Sequence, residues 1–133
     1  MKHFIMAFML VFFAGSTAAL ADHHGLKQVE GKYLCMKEDR YFEGKEQRPF
    51  EMDGKTYHIC CLDCAMGLQS EEVRYGTDPV SGNRIDKSEA VIGVDSAGRV
   101  YYFETEENLA AFEPDPDAPM PDHSDMHHHH HHH

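Results

Sequence analysis

The stretch GKTYHICCLDCAMGL, residues 54–68, has a counterpart in GRVYYFETEENLAAF, residues 98–112. The two align without a gap, with glycine on glycine at the first position and an apolar residue on an apolar residue at the last. Inside each stretch, two apolar side chains alternate with other residues, a pattern typical of a strand with one buried face. These alternating pairs are Tyr57 with Ile59 and Tyr101 with Phe103. Internal similarity of this kind indicates two structural units of one type, with chance similarity as the alternative.

Each copy begins at the end of a short polar segment with turn character, Asp53-Gly54 in the first and Ala97-Gly98 in the second. Such dipeptides between apolar-rich runs predict hairpin turns. We expect a short helix after each hairpin, at about residues 61–70 and 105–112. Pro114 ends the second helix, because proline cannot continue one. The predicted fold class is α+β, with two small units that each contain a β-hairpin and a short helix.

The same patterns divide the chain into segments. The predicted boundaries are 1–21 for a signal peptide, 22–31 for a mature N-terminal segment, 32–70 for the first unit, 71–77 for a linker, 78–113 for the second unit, 114–126 for a disordered acidic tail and 127–133 for a histidine run. The tail is rich in proline and aspartate and lacks apolar periodicity. The histidine run is interpreted as a purification tag, with a native metal-gathering tail as the alternative.

The first 21 residues have the layout of a secretory signal. Lys2 is followed by an apolar run at 4–14 and by small residues that end in Ala19-Leu20-Ala21. The apolar run is shorter than the roughly 20 residues that a helix needs to cross a bilayer. We therefore expect a periplasmic or secreted protein that begins at Asp22 and has no stable membrane insertion, with a retained anchor as the less favoured alternative.

Charge excludes several classes of partner. The chain has 12 Lys+Arg against 23 Asp+Glu, a formal net charge of −11. A protein this acidic is repelled by the phosphates of nucleic acids and gains nothing from an anionic membrane surface. We predict no nucleic-acid partner.

All four cysteines fall in the first unit, at Cys35, Cys60, Cys61 and Cys64. Cys60 is expected at the end of the hairpin and Cys64 one turn inside the helix, and residues four apart share a helical face. The positive end of the helix dipole should favour thiolates there. Cys35 can reach the same point from a neighbouring strand. Three convergent thiolates form a soft site that suits Cu(I), Zn(II) or another thiophilic ion.

The fourth ligand of such a site stays open at this stage. Cys61, Met36 and His58 are the candidates, and strand alternation favours His58 because it places this side chain on the face of Cys60. No catalytic residues stand out, since His58 is the one histidine of the predicted folded region and no nucleophile has an evident base. We expect no enzyme activity.

Two other uses of the cysteines compete with a metal site. Four cysteines in an exported protein often form two disulfides, which would make the chain a disulfide-stapled interaction module. Cys61 and Cys64 also have the C-x-x-C spacing of thiol–disulfide oxidoreductases, although no thioredoxin-like βαβ pattern surrounds them. The spacing favours the metal site, because the adjacent Cys60 and Cys61 point in different directions.

The second unit resembles a YHS domain. That family reads D-P-V-C-G-M near its start and Y-x-F-C-x-x-x-C-x-x-x-F near its end. Here Asp78-Pro79-Val80 matches the first motif, and residues 101–103 with Phe112 match the second. Ser81, Glu104 and Asn108 stand where the family has cysteines. The resemblance therefore implies a structural half without a thiolate site, with a weak oxygen site at Glu104 as the alternative.

The first unit, through Cys35, Cys60 and Cys64, is similar to the related TRASH domain, a treble-clef-like cysteine module implicated in heavy-metal sensing and handling. Together the two resemblances cover most of residues 30–116. They imply two treble-clef-like units and a role in metal binding.

A second metal site is predicted at the mature N-terminus. Cleavage after Ala21 would leave Asp22-His23-His24 with a free amine. The amine, two amides and the His24 imidazole then offer the four square-planar nitrogens that Cu(II) or Ni(II) prefers. With export and the family resemblance, this motif favours copper over zinc or another thiophilic metal. We predict an exported protein that sequesters or delivers copper, held as Cu(I) at the cysteines, with a metal-handling protein or membrane transporter as candidate partner.

Overall fold

The computed structural model describes residues 22–23 and 25–119, and of Asp22 and His23 it describes the backbone. The predicted signal peptide, the histidine run and the tail from Met120 onward lie outside these residues, as does His24. Within the described part of the chain, none of the helices is long and apolar enough to cross a bilayer.

The described chain is mixed α+β, and its elements are short. The strands are β1 (Asp22–His23), β2 (Leu26–Val29), β3 (Leu34–Cys35), β4 (Arg40–Tyr41), β5 (Arg48–Met52), β6 (Lys55–Ile59), β7 (Tyr75–Thr77), β8 (Arg84–Asp86), β9 (Val91–Asp95) and β10 (Val100–Phe103). The helices are α1 (Leu62–Gly67), α2 (Glu71–Arg74) and α3 (Glu106–Ala111), with a 3-10 turn at Gly31–Tyr33. The predicted α+β class is confirmed, as are short hairpins followed by short helices.

The first hairpin joins β5 to β6, with Met52 opposite Lys55. The two turn residues have positive φ, 53° at Asp53 and 74° at Gly54. This is the backbone of a type I′ turn, whose twist matches that of the flanking strands. Along β6, Tyr57 and Ile59 are buried. The predicted alternation along this strand is therefore confirmed.

The second hairpin joins β9 to β10 through a longer loop. Val94 lies opposite Val100, and Gly98 takes a φ of 88° before the chain enters β10. The Asp95 carboxylate holds the loop, because it accepts hydrogen bonds from the backbone of Ala97 and from both the backbone and the side chain of Arg99. The helices that follow the two hairpins, α1 and α3, occupy the same positions in the two aligned stretches.

The two halves share one core. The main cluster of buried apolar side chains takes Tyr57, Ile59 and Leu68 from the first half and Ile92 and Tyr102 from the second. A smaller cluster lies under α3, formed by Leu26, Phe103 and Leu109 and flanked by Tyr101 and Phe112. Folding of either half therefore depends on the other, because each supplies part of the apolar surface that its partner covers.

The N-terminal segment belongs to the sheet of the second half. Strands pair in the order β1-β2-β9-β10, all antiparallel, with Leu26 opposite Asp95 and Val29 opposite Ile92. Burial of Leu26 explains this placement, since its side chain completes the smaller core cluster.

Two segments outside the predicted hairpin–helix units also have defined structure. Residues 71–77, expected to be a linker, form α2 and β7, because Gly76 lies directly against the Tyr102 ring and β7 pairs with β8. Residues 114–119, expected to be disordered, fold back on the protein. The buried Arg99 guanidinium donates to the carbonyls of Asp115 and Ala118 at 2.8 and 2.6 Å. Composition does not reveal such backbone acceptors for a distant arginine.

Asp78 joins three parts of the second half. Its side chain has no solvent exposure, and one carboxylate oxygen accepts from the backbone of Val80 and Ser81 at 2.7 and 3.2 Å. The other oxygen accepts from the Glu104 backbone at 2.8 Å and from the Asn108 amide at 2.9 Å. Burial alone would raise the pKa of Asp78, but these donors outweigh it and lower the pKa. The carboxylate therefore stays ionised at neutral pH.

We expect Asp78→Ala to lower the free energy of unfolding by about 3 kcal/mol or more, because four donors lose their acceptor inside the protein. Urea unfolding followed by circular dichroism measures this loss. Since the folded-state pKa is lowered, the contribution of Asp78 is present at neutral pH and is lost as the pH falls below about 4. Glu107→Ala removes the same charge from an exposed position of α3 and should change stability by less than about 0.5 kcal/mol. Equal stability of the two variants would contradict this account of Asp78.

Candidate metal centre

Three cysteines from separate elements bring their sulfurs together. Cys35 ends β3, Cys60 directly follows β6, and Cys64 lies in α1. The Cys64 Sγ is 3.6 Å from the Sγ of Cys35 and 3.6 Å from that of Cys60. All three sulfurs lie within 4.8 Å of one another, and no other group of three or more such ligands is found in residues 25–119.

The spacing of the three sulfurs suits a shared ion. A triangle with two sides of 3.6 Å and a third of at most 4.8 Å has its centre no more than about 2.4 Å from each corner. A zinc–thiolate bond is about 2.3 Å long. An ion near the centre of the triangle can therefore contact all three sulfurs with small adjustments, and the three cysteines can hold a metal ion.

Hydrogen bonds and packing of the first half place these three residues. The Met36 backbone N–H donates to the His58 carbonyl at 2.9 Å, which ties the segment after β3 to β6. The Leu68 N–H donates to the Cys64 carbonyl at 3.1 Å, and the Leu68 side chain is fully buried in the main core. The anchored end of α1 thereby keeps Cys64 against the hairpin.

Burial controls the ionisation of the cluster. Cys35 and Cys64 are 0% and 1% exposed, and Cys60 is half-buried. Loss of hydration raises the pKa of Cys60 to about 12 and raises that of Cys64 still further. The expected preference for thiolates at the helix N-terminus is therefore absent at these two residues, because burial outweighs the dipole of a helix of six residues. Without a metal, both are neutral thiols at neutral pH.

Cys61 differs from the other three cysteines. Its side chain is exposed, and its Sγ lies 3.1 Å from the Sγ of Cys64 but outside the group of three. The hydrogen bond with the Cys64 side chain lowers the pKa of Cys61. All four cysteines are free thiols in the structure.

The other two candidates for a fourth ligand lie outside the group of three. His58 is half-buried, its Nδ1 has no hydrogen-bond partner in the described chain, and burial lowers its pKa, so that the imidazole is neutral. A side chain at Gly31 would come within 3.9 Å of this nitrogen. Met36 is buried in the main core. The Asp22, His23 and His24 side chains of the predicted Cu(II) site are outside the described residues.

Sequence reasoning missed Glu38. Its two carboxylate oxygens lie 3.9 Å from the Cys60 Sγ and 4.0 Å from the Cys64 Sγ. The position, three residues after Cys35, was the only sequence signal, and acidic residues are too common in this chain for that spacing to be informative. A carboxylate here can accept the protons that the thiols release when a metal binds.

The second half anchors the turn that carries Glu38. The buried Lys87 ammonium donates to the Met36 carbonyl at 2.8 Å and to the Asp39 carboxylate at 2.7 Å. The Tyr102 hydroxyl donates to the same Asp39 oxygen at 2.6 Å. Asp39 itself has a φ of 51°, so the turn depends on these bonds to hold a left-handed backbone. The half without cysteines therefore positions the segment of the other half that carries Cys35 and Glu38.

Comparison of the chain with family models, with curated proteins and with solved structures gives no match in any of the three.

We expect Lys87→Met to lower the free energy of unfolding by about 2 kcal/mol, because Asp39 and the Met36 carbonyl lose a charged donor. Alkylation of Cys35 should become faster, by about tenfold for each 1.4 kcal/mol by which the substitution lowers the free energy of the local opening that exposes Cys35. Urea unfolding and mass spectrometry of alkylated peptides measure the two effects. Lys45→Met, at an exposed position, is the matched control. A Cys35 alkylation rate equal to that of the control would show that Lys87 does not anchor this segment.

Proposed function

We propose that this chain is an exported metal-binding protein that holds one thiophilic ion between Cys35, Cys60 and Cys64. Cu(I) is the ion that we favour. The observation that carries the proposal is the convergence of three sulfurs from separate elements on one point. The four cysteines form no disulfide in the structure, so this geometry favours a metal-ligand site over structural disulfides.

The donor set supports a soft ion. Thiolate sulfur prefers Cu(I), Zn(II) and heavier thiophilic ions to hard cations such as Mg²⁺ or Ca²⁺. Three sulfurs around a triangle suit the low coordination numbers of Cu(I), whereas Zn(II) would recruit a fourth ligand to reach a tetrahedron. The predicted N-terminal nitrogen site and the YHS/TRASH resemblance also favour copper, with zinc as the alternative.

Export and a storage or delivery role complete the proposal. They rest on the signal-like segment 1–21 and on the resemblance to TRASH and YHS domains. The treble-clef-like description of the two units and the assignment of Cys35, Cys60 and Cys64 as ligands belong to the same proposal. A metal-handling protein or a membrane transporter is the kind of partner that would give or receive the ion.

One observation favours a second candidate function. Cys61 and Cys64 lie 3.1 Å apart in C-x-x-C spacing, and Cys61 is exposed with a lowered pKa, as a thiol–disulfide oxidoreductase requires. Turnover of a small disulfide substrate by the reduced protein, abolished in Cys61→Ser, would support this function. Stoichiometric reaction without turnover would exclude it.

We expect one Cu(I) per chain in the reduced protein, and an affinity loss of roughly a hundredfold or more in Cys60→Ser and in Cys64→Ser. Anaerobic purification, alkylation with mass spectrometry and chelator competition measure the thiols and the affinity. Met66→Ser removes an exposed sulfur from the same helix and should bind as the wild type does. Fully oxidised cysteines that recover no metal affinity after reduction would overturn the metal-binding function.

Metal binding should tighten as the pH rises. Cys60 and Cys64 have raised pKa values in the metal-free protein, so each must release a proton when it becomes a ligand. Release of these two protons alone makes the apparent affinity increase by at least roughly a hundredfold per pH unit between about pH 6 and 8. Chelator competition at several pH values measures the slope. An affinity that does not change with pH would show that these thiols are not the ligands.

A further inference from the structure

Cys61 begins α1 without capping it. It is the N-cap residue of α1 and makes no side-chain capping hydrogen bond. At the aligned position of the second half, Thr105 caps α3 by accepting from the Asn108 backbone at 3.1 Å. A cap of this kind stabilises a helix by about 1 kcal/mol. The thiol of Cys61 therefore stands where a hydroxyl would serve the helix better.

The contacts of Cys61 link solvent to the metal centre. Cys64 is 1% exposed, and its sulfur is in contact with those of the other three cysteines. Cys61 is the exposed member of the four, and its Sγ touches that of Cys64. A donor in solution can reach Cys61 directly, whereas the Cys35 and Cys64 sulfurs are covered.

We propose that Cys61 is the transfer ligand of this site: it accepts the ion from an external soft donor and passes it to Cys64, and it reverses these steps on release. The inference rests on the proposed function, because it assigns a route to the ion held there. The external donor must itself offer sulfur, as a thiolate or thioether, since an ion bound by thiolates exchanges most readily with ligands of similar softness.

The transfer step conserves charge and electrons. One metal–sulfur bond forms to Cys61 as a bond to the external donor breaks, and the proton of the Cys61 thiol passes to the departing thiolate, or to water when the donor is a thioether. When the ion moves on, a bond to Cys64 forms and the bond to Cys61 breaks. Cys61 then takes up a proton as Cys64 releases one. The oxidation state of the metal does not change, so the route needs no oxidant or reductant.

The same geometry separates a transfer ligand from a permanent one. Cys61 lies outside the group of three sulfurs that are within 4.8 Å of one another, although it contacts Cys64. An ion at the centre of that group would be bound by the sulfurs of Cys35, Cys60 and Cys64, and Cys61 would not be needed as a ligand. Removal of the Cys61 sulfur should therefore change the rate of exchange and leave the equilibrium affinity nearly unchanged.

The test compares Cu(I)-loaded wild type, Cys61→Ser and Leu62→Ser under anaerobic conditions, with bathocuproine disulfonate as the competing chelator and dithiothreitol as the sulfur donor. Leu62→Ser alters the adjacent exposed residue without removing a sulfur. We expect Cys61→Ser to keep its equilibrium affinity for Cu(I) within about threefold of the wild type. We expect its transfer of Cu(I) through dithiothreitol to the chelator to be about tenfold slower, measured by stopped-flow absorbance. Leu62→Ser should match the wild type in both.

Three outcomes would overturn the transfer route. Equal rates in Cys61→Ser and wild type would mean that the ion bypasses Cys61. A large loss of equilibrium affinity in Cys61→Ser would make Cys61 a permanent ligand. Equal slowing in Leu62→Ser would attribute the effect to the surface rather than to the sulfur. A wild-type chain that binds no Cu(I) would overturn the proposed function itself, which distinguishes that failure from failure of the route alone.

Discussion

The structure depends on a single core that neither half of the chain can build alone. Tyr57 and Ile59 of the first hairpin pack in one cluster with Ile92, Val94 and Tyr102 of the second. Units of about 40 residues bury too little apolar surface to be stable by themselves. A shared core offsets this deficit without a disulfide. It also means that the half without cysteines supports the cysteine cluster, because its side chains form part of the core against which Cys35, Cys60 and Cys64 pack.

The position of the cysteines at the edge of this core explains their chemistry. Cys35 and Cys64 are members of the main cluster, where a neutral thiol behaves as a small apolar side chain. The metal-free protein can therefore fold with these residues protonated and buried. A thiolate at the same place is costly unless a cation compensates it. In the proposed metal-bound state, metal binding is therefore coupled to deprotonation, and the Glu38 carboxylate lies close enough to Cys60 and Cys64 to accept those protons.

Local sequence patterns predicted the strands, turns and helices. They did not predict the long-range contacts between side chains. The turn at Asp53-Gly54, the alternation of Tyr57 with Ile59 and the two aligned helices follow from chain-local rules of turn and strand geometry. Convergence of Cys60 and Cys64 also follows from their spacing. The bonds of Lys87 to the segment after Cys35, 51 residues away for the Met36 carbonyl, have no periodic signal. The same is true of Arg99, whose contacts order residues that composition alone describes as a tail.

In each half, a charged group can stabilise the junction between the hairpin and the helix that follows it, and the sign of that charge differs between the halves. In the second half a buried anion lies at the junction, and the Asp78 carboxylate accepts from the Glu104 backbone and the Asn108 side chain. The residues aligned with Glu104 and Asn108 in the first half are Cys60 and Cys64. In the proposed metal-bound state a cation lies at that junction and the protein supplies the electron-pair donors. The Asp78 carboxylate, ionised at neutral pH, makes one junction independent of any metal ion. At the other junction, the raised pKa values of Cys60 and Cys64 mean that these thiols would ionise when a metal binds, which suits the proposed role of holding and releasing an ion.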